Sequence, residues 1–189
     1  MKFFYSSLLV ILLLFYSESK SVEIKALAKV NSEVISSYDL FVEIKVQELL
    51  NNKTVNKFEY KKILRQMIDD LIKKIEIQKN DISADKKTVN IKINEILSQF
   101  SDEIRLDDQI RSNIKSKIEN SIKWNNLILI KFRNKIEVNT NEIEQIIKSK
   151  DLNEQDKDRI AILEKNKKLQ VFSKTYFNEV KKKYFIKIY

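Results

Sequence analysis

Beyond its first twenty residues the chain moves between two rhythms of apolar and polar positions. Over residues 22–30 the rhythm has a period of two: Ile24, Ala26, Ala28 and Val30 fall on one side and Lys25 and Lys29 on the other, as in a half-buried strand. Asn31-Ser32 predicts a turn that leads into Val34-Ile35. The same alternation returns at residues 184–189. A lone terminal strand needs a partner, and the strand around residues 22–35 is the one good candidate.

Elsewhere apolar residues recur every three or four positions. Ser36 with Asp39 predicts a capped helix start, followed by Leu40, Phe41, Ile44 and Leu49 and ending near Asn51. Asn56 with Glu59 predicts a second helix, carried by Leu64, Met67, Ile68, Leu71, Ile72 and Ile75 as far as Asn80. A third helix is expected over about residues 84–100 through Val89, Ile93, Ile96 and Leu97. Further helices are expected over 104–136, through Ile110, Ile114, Ile118 and Ile122. Residues 127–130 are apolar on every side and are expected to be buried. Asn139 with Glu142 opens a short helix. A long polar helix over about 153–183 places Ile162, Leu169, Phe172, Tyr176 and Val180 on one stripe. The one linker-like stretch is the charged segment 148–159. The fold class expected is mainly α, with a small sheet pairing an N-terminal hairpin with the C-terminal strand.

Composition changes this picture chiefly at the turns. The chain contains no Gly and no Pro in 189 residues, where average usage would give roughly thirteen and nine. Backbone positions that need a positive φ therefore fall to Asn or Asp, and helix ends must use Asn where Gly is usual. That disfavours sheet-rich folds with many hairpins. The same absences, beside abundant Lys, Ile and Asn, also fit an AT-rich genome, so they say nothing of function.

Absent residue types also limit the chemistry. Without Cys there is no disulfide framework or thiolate metal site, and without His the commonest general base and metal ligand is missing. Without Gly, a phosphate-binding loop, a dinucleotide fingerprint or an EF-hand loop cannot exist in its usual form. Asp69-Asp70 and Asp107-Asp108 are adjacent pairs, so on a helix their side chains diverge by about 100°. The expectation is no catalytic residues, no cofactor and no metal. The tripeptide Asn52-Lys53-Thr54 matters only in a glycosylating pathway. With 36 basic against 27 acidic residues the net charge is +9, which suits nucleic acid, an anionic membrane surface or acidic protein clients, and charge alone does not choose among them.

The first residues read as an export signal. Lys2 precedes an apolar stretch over residues 3–15 containing LLVILLLF, and a short polar tail offers Ser17, Ser19 and Ser21 as small residues near a cleavage site. The apolar run is well below the roughly 20 residues of a spanning helix. Residues 1–20 are thus expected to be a signal peptide and 21–189 a single domain, with a helical core over 21–147 and a returning helix and strand over 153–189. Cleavage removes Lys2, Lys20 and Glu18 and takes the net charge from +9 to +8.

The segment AKVNSEVISSYDLF, residues 28–41, resembles the N-terminal motif of the SurA-type periplasmic chaperones, with Ser32 in place of the usual Gly. LRQMIDDLIKKIEIQKNDISAD, residues 64–85, is similar to that family's second helix, and the final KTYFNEVKKKYFIKIY to its C-terminal helix and strand. The resemblance implies a SurA N-domain-like helical core whose C-terminal segment packs back on it. Residues 137–161 leave no room for the family's parvulin domains, so it implies no prolyl isomerase activity.

In function, the resemblance implies an ATP-independent periplasmic chaperone for unfolded outer-membrane proteins or aromatic-rich peptides, with the outer-membrane assembly machinery as a further candidate partner. No nucleic-acid partner is expected, since Arg is not clustered and no recognised motif is present. No stable membrane span is expected after signal cleavage. The candidate client-binding residues are the aromatics Tyr38, Phe41, Trp124, Phe132, Phe172, Tyr176 and Phe177, whose rings make broad, adaptable contacts, core packing being the commoner role of each. A structural or adaptor protein of the envelope with one defined partner is the first alternative, and a basic nucleic-acid-binding protein, against which export argues, the second.

Overall fold

The computed structural model describes residues 23–100, 108–150 and 156–189. The expected signal segment, the start of the helix expected from residue 104, Asp107 and the middle of the charged stretch 148–159 lie outside the described residues. Among the described residues the elements run β1 (Ala26–Val30), β2 (Glu33–Ser36), α1 (Ser37–Asn51), a 3₁₀ turn (Lys57–Glu59), α2 (Tyr60–Lys79), α3 (Lys86–Leu97), α4 (Asp108–Ile136), α5 (Thr140–Lys150), α6 (Lys157–Lys181) and β3 (Ile186–Ile188). No helix among them is long and apolar enough to cross a membrane.

The fold is mainly helical with one small antiparallel sheet of order β2-β1-β3. β1 is central, paired with β2 through Ala28↔Ile35 and with β3 through Ala28↔Ile188. The two ends of the chain therefore meet, as the two alternating segments predict. The first strand is shorter than its pattern suggests. Pairing becomes irregular between Ala26 and Ala28, so Ala28 and Val30 are buried while Ala26 and Ile24 are exposed.

Local chemistry sets the helix ends. Ser36 Oγ accepts from the Asp39 amide at 3.1 Å while Asp39 Oδ2 accepts from the Ser36 amide at 2.8 Å, closing a capping box. Asn56 and Glu59 form a second box, which opens the 3₁₀ turn that runs into α2. Asp85 accepts from the Thr88 amide at 2.8 Å, which starts α3 two residues later than expected. Asn139 Oδ1 accepts from the Glu142 amide at 2.8 Å and caps α5. Asn31, Asn52 and Asp81 take positive φ values of 53°, 48° and 51°, filling the places glycine would otherwise take.

Two apolar clusters share α4. The first joins Ala28, Val30 and Ile35 of the sheet to Ile68, Ile72 and Ile77 of α2, the later turns of α4 and Val180 of α6. The second joins Val46 of α1, Val89, Ile93 and Leu97 of α3, and Ile114 of α4. Three expectations about burial are corrected. Leu127 and Ile128 are buried but Ile130 is 68% exposed, because four consecutive helical residues face every direction and α4 keeps one side open to solvent. Ile162 is exposed and Ile160 is buried instead, because α6 packs against α4, α5 and α2 together, so no single stripe sets its buried side. Phe41 is exposed on α1, whose buried face is Glu43, Ile44 and Val46.

Candidate functional site

Beside the second cluster the helices leave an open groove of about 460 Å³. Ile96 of α3 and Ile114, Ile118 and Ile122 of α4 line it, Leu50 closes it at the end of α1, and Lys92, Glu95 and Lys117 stand along it. The four-residue spacing of Ile114, Ile118 and Ile122 puts them on one face of α4. Asn126 of α4 donates to the Ser83 carbonyl, just before α3, at 3.0 Å, so α3 runs alongside this stretch of α4 and forms one wall of the groove.

One wall is held by an ion pair. Glu43 on α1 is buried at 4% exposure, and Lys117 of α4 donates to its Oε1 at 2.7 Å. Gln47 Nε2 donates to the same oxygen at 2.8 Å. Burying a carboxylate is costly unless it is paired and hydrogen-bonded, and these two donors meet that cost while fixing α1 against α4. The groove thus combines an apolar floor with an edge of mixed charge, Lys92 and Glu95 beside the already paired Lys117, which suits apolar or aromatic side chains.

Five of the seven candidate aromatics come together elsewhere. Trp124, Phe132, Phe172, Tyr176 and Phe177 pack between α4 and α6, with centroid separations of 5.7 Å for Trp124–Tyr176, 6.3 Å for Trp124–Phe177 and 5.0 Å for Phe132–Phe172. Trp124 is only 4% exposed, and its Nε1 donates to Ser173 Oγ at 2.8 Å. Trp124 has almost no accessible surface, while Phe132, Phe172, Tyr176 and Phe177 are half-buried. Tyr38 and Phe41 are exposed, at 39% and 52%, but sit near the start of α1. At about 1.5 Å per residue Phe41 lies about 14 Å along the helix from Leu50, so neither belongs to the groove.

A polar clasp ties the C-terminal segment to α2. Glu76, itself buried, accepts from the hydroxyls of Tyr184 at 2.6 Å and Tyr176 at 3.0 Å, and Lys79 donates to the Tyr184 oxygen at 2.9 Å. Burial, then the hydrogen bond to Glu76 and its charge, push both tyrosine hydroxyls well above their ordinary pKa. Asp69 pairs with Lys181 of α6 at 2.6 Å and Asp70 with Lys73 at 3.2 Å, so this adjacent pair diverges into separate ion pairs.

The groove residues were readable in part. Ile110, Ile114, Ile118 and Ile122 stand out as a stripe, but nothing local shows which helices meet that face. Ile96 reads as an ordinary apolar helix position, and Leu50 lies outside the stripe read for α1. No protein-family model matches the chain, and no curated protein matches it in sequence.

Proposed function

We propose that this protein is an ATP-independent periplasmic chaperone that holds unfolded outer-membrane proteins by their apolar and aromatic side chains. The observation that carries this reading is the open groove between α1, α3 and α4, with its isoleucine floor. The resemblance of residues 28–41 and 64–85 to SurA-type chaperones supports the same reading, and those segments contribute the hairpin, the start of α1 and most of α2.

The groove's size sets what it can do. At about 460 Å³ it takes one or two large side chains and not a folded surface. Burying one aromatic side chain stabilises by about 1.5–3 kcal/mol before ordering costs are subtracted. Single contacts are then weak and exchange readily, as a carrier of many sequences requires. The net charge of +9 over the whole chain adds attraction for acidic clients.

The test is light scattering during dilution of a urea-unfolded outer-membrane β-barrel protein, with an unrelated unfolded soluble protein alongside. Suppression near equimolar ratio without ATP is expected, stronger for the β-barrel client. Ile118→Glu, which puts a charge on the groove floor, should weaken it by about ten-fold while leaving helical circular dichroism intact. Absence of suppression for both clients would sink the reading and favour an adaptor with one partner.

A further inference from the structure

The outer face of the sheet carries an arrangement unrelated to the groove. Lys29 in the central strand stands directly opposite Val34 on β2 and Lys187 on β3, so the three share the face turned away from buried Ala28 and Val30. Lys187 Nζ lies 4.5 Å from the ring centroid of Tyr189, which places that ring on the same face, and the two-residue repeat adds Phe185. Val34, Phe185 and Tyr189 are 51%, 67% and 62% exposed.

Like charges directly opposite on neighbouring strands destabilise a sheet. No carboxylate among the described residues lies within ion-pair distance of Lys29 or Lys187. The surroundings have the same sign: residues 26–36 and 182–189 hold Lys29, Lys182, Lys183 and Lys187 against Glu33 alone. Exposed rings beside unpaired lysines match a lipid headgroup layer, where amphipathic rings settle and each lysine is drawn to lipid phosphate.

We propose that this sheet face docks the protein on an anionic phospholipid surface. Phe185 and Tyr189 enter the headgroup layer, and Lys29 and Lys187 meet lipid phosphates. The negative surface removes the repulsion between the two lysines, so folding of the sheet and lipid binding favour each other. An uncharged peptide would cover the rings and leave that repulsion in place. The proposal stands independently of the chaperone reading.

The test is sedimentation of the full chain with vesicles of pure phosphatidylcholine and with vesicles in which part of it is replaced by phosphatidylglycerol. The apolar residues 3–15 are common to every chain compared, so their contribution cancels in the anionic-to-neutral ratio. The wild type should prefer anionic vesicles at least about ten-fold at low salt, each lysine contributing about five-fold. Lys29→Gln with Lys187→Gln should bring the ratio close to unity, while Lys29→Arg with Lys187→Arg should preserve it. Unchanged partitioning into neutral vesicles and unchanged helical circular dichroism separate loss of lipid contact from misfolding. Equal partitioning of the wild type into both vesicles, or a preference that survives the glutamine changes, overturns the proposal.

Discussion

Tyr176 and Tyr184 converge on one buried carboxylate, Glu76, and their hydroxyls hold their protons above the ordinary tyrosine range. On unfolding they return to a pKa of about 10. Below that pH both states keep the proton and the clasp is fully present. Above it the unfolded chain releases protons the folded chain retains, so stability falls as pH rises. Urea midpoints followed from about pH 9.5 to 11.5 should therefore drop more steeply for the wild type than for Tyr176→Phe with Tyr184→Phe. Equal slopes would mean that these hydroxyls add nothing to the alkaline loss of stability. The clasp was hidden in the sequence because its members lie 100 residues or more apart. By contrast, the positive-φ positions were readable in kind. A chain without glycine must hand them to Asn or Asp, and Asn31, Asn52 and Asp81 take them.

Element boundaries obey the same division between local and distant causes. The boxes at Ser36 with Asp39 and Asn56 with Glu59 involve residues three apart, and both form as the sequence predicts. Which side of a helix is buried depends on its neighbours. Ile128 and Ile130 belong to one apolar run, yet α4 buries the first completely and leaves the second 68% exposed. Ile128→Ala should cost about 2–4 kcal/mol in guanidinium unfolding, and Ile130→Ala less than about 0.5 kcal/mol. Similar losses at both positions would mean that α4 is rotated from the packing described. The stripe on α6 goes astray in the same way, since Ile160 is buried where the pattern alone selects Ile162.

Across the molecule, α4 is the one element that enters both apolar clusters, and the Glu43–Lys117 pair fastens α1 to it beside the groove. Lys117→Met would leave Glu43 buried without its counter-ion. Because the lysine side chain is 38% exposed, the loss expected is about 1–2 kcal/mol, below that of a fully buried pair. Glu43→Leu added to it should recover most of that loss in thermal melts. Failure to recover would show that Gln47 and not the ion pair holds this wall. The sheet closes the structure by a much longer route: the Phe185 amide donates to Asn31 Oδ1 at 3.0 Å across 154 residues of chain. At about 5–20 residues per second of synthesis, the first hairpin waits roughly 8–30 s for the strand that completes its sheet. Through that interval Ala28 and Val30 lack their C-terminal cover and β1 keeps an unpaired edge, so the nascent chain itself needs protection from aggregation until its last strand is made.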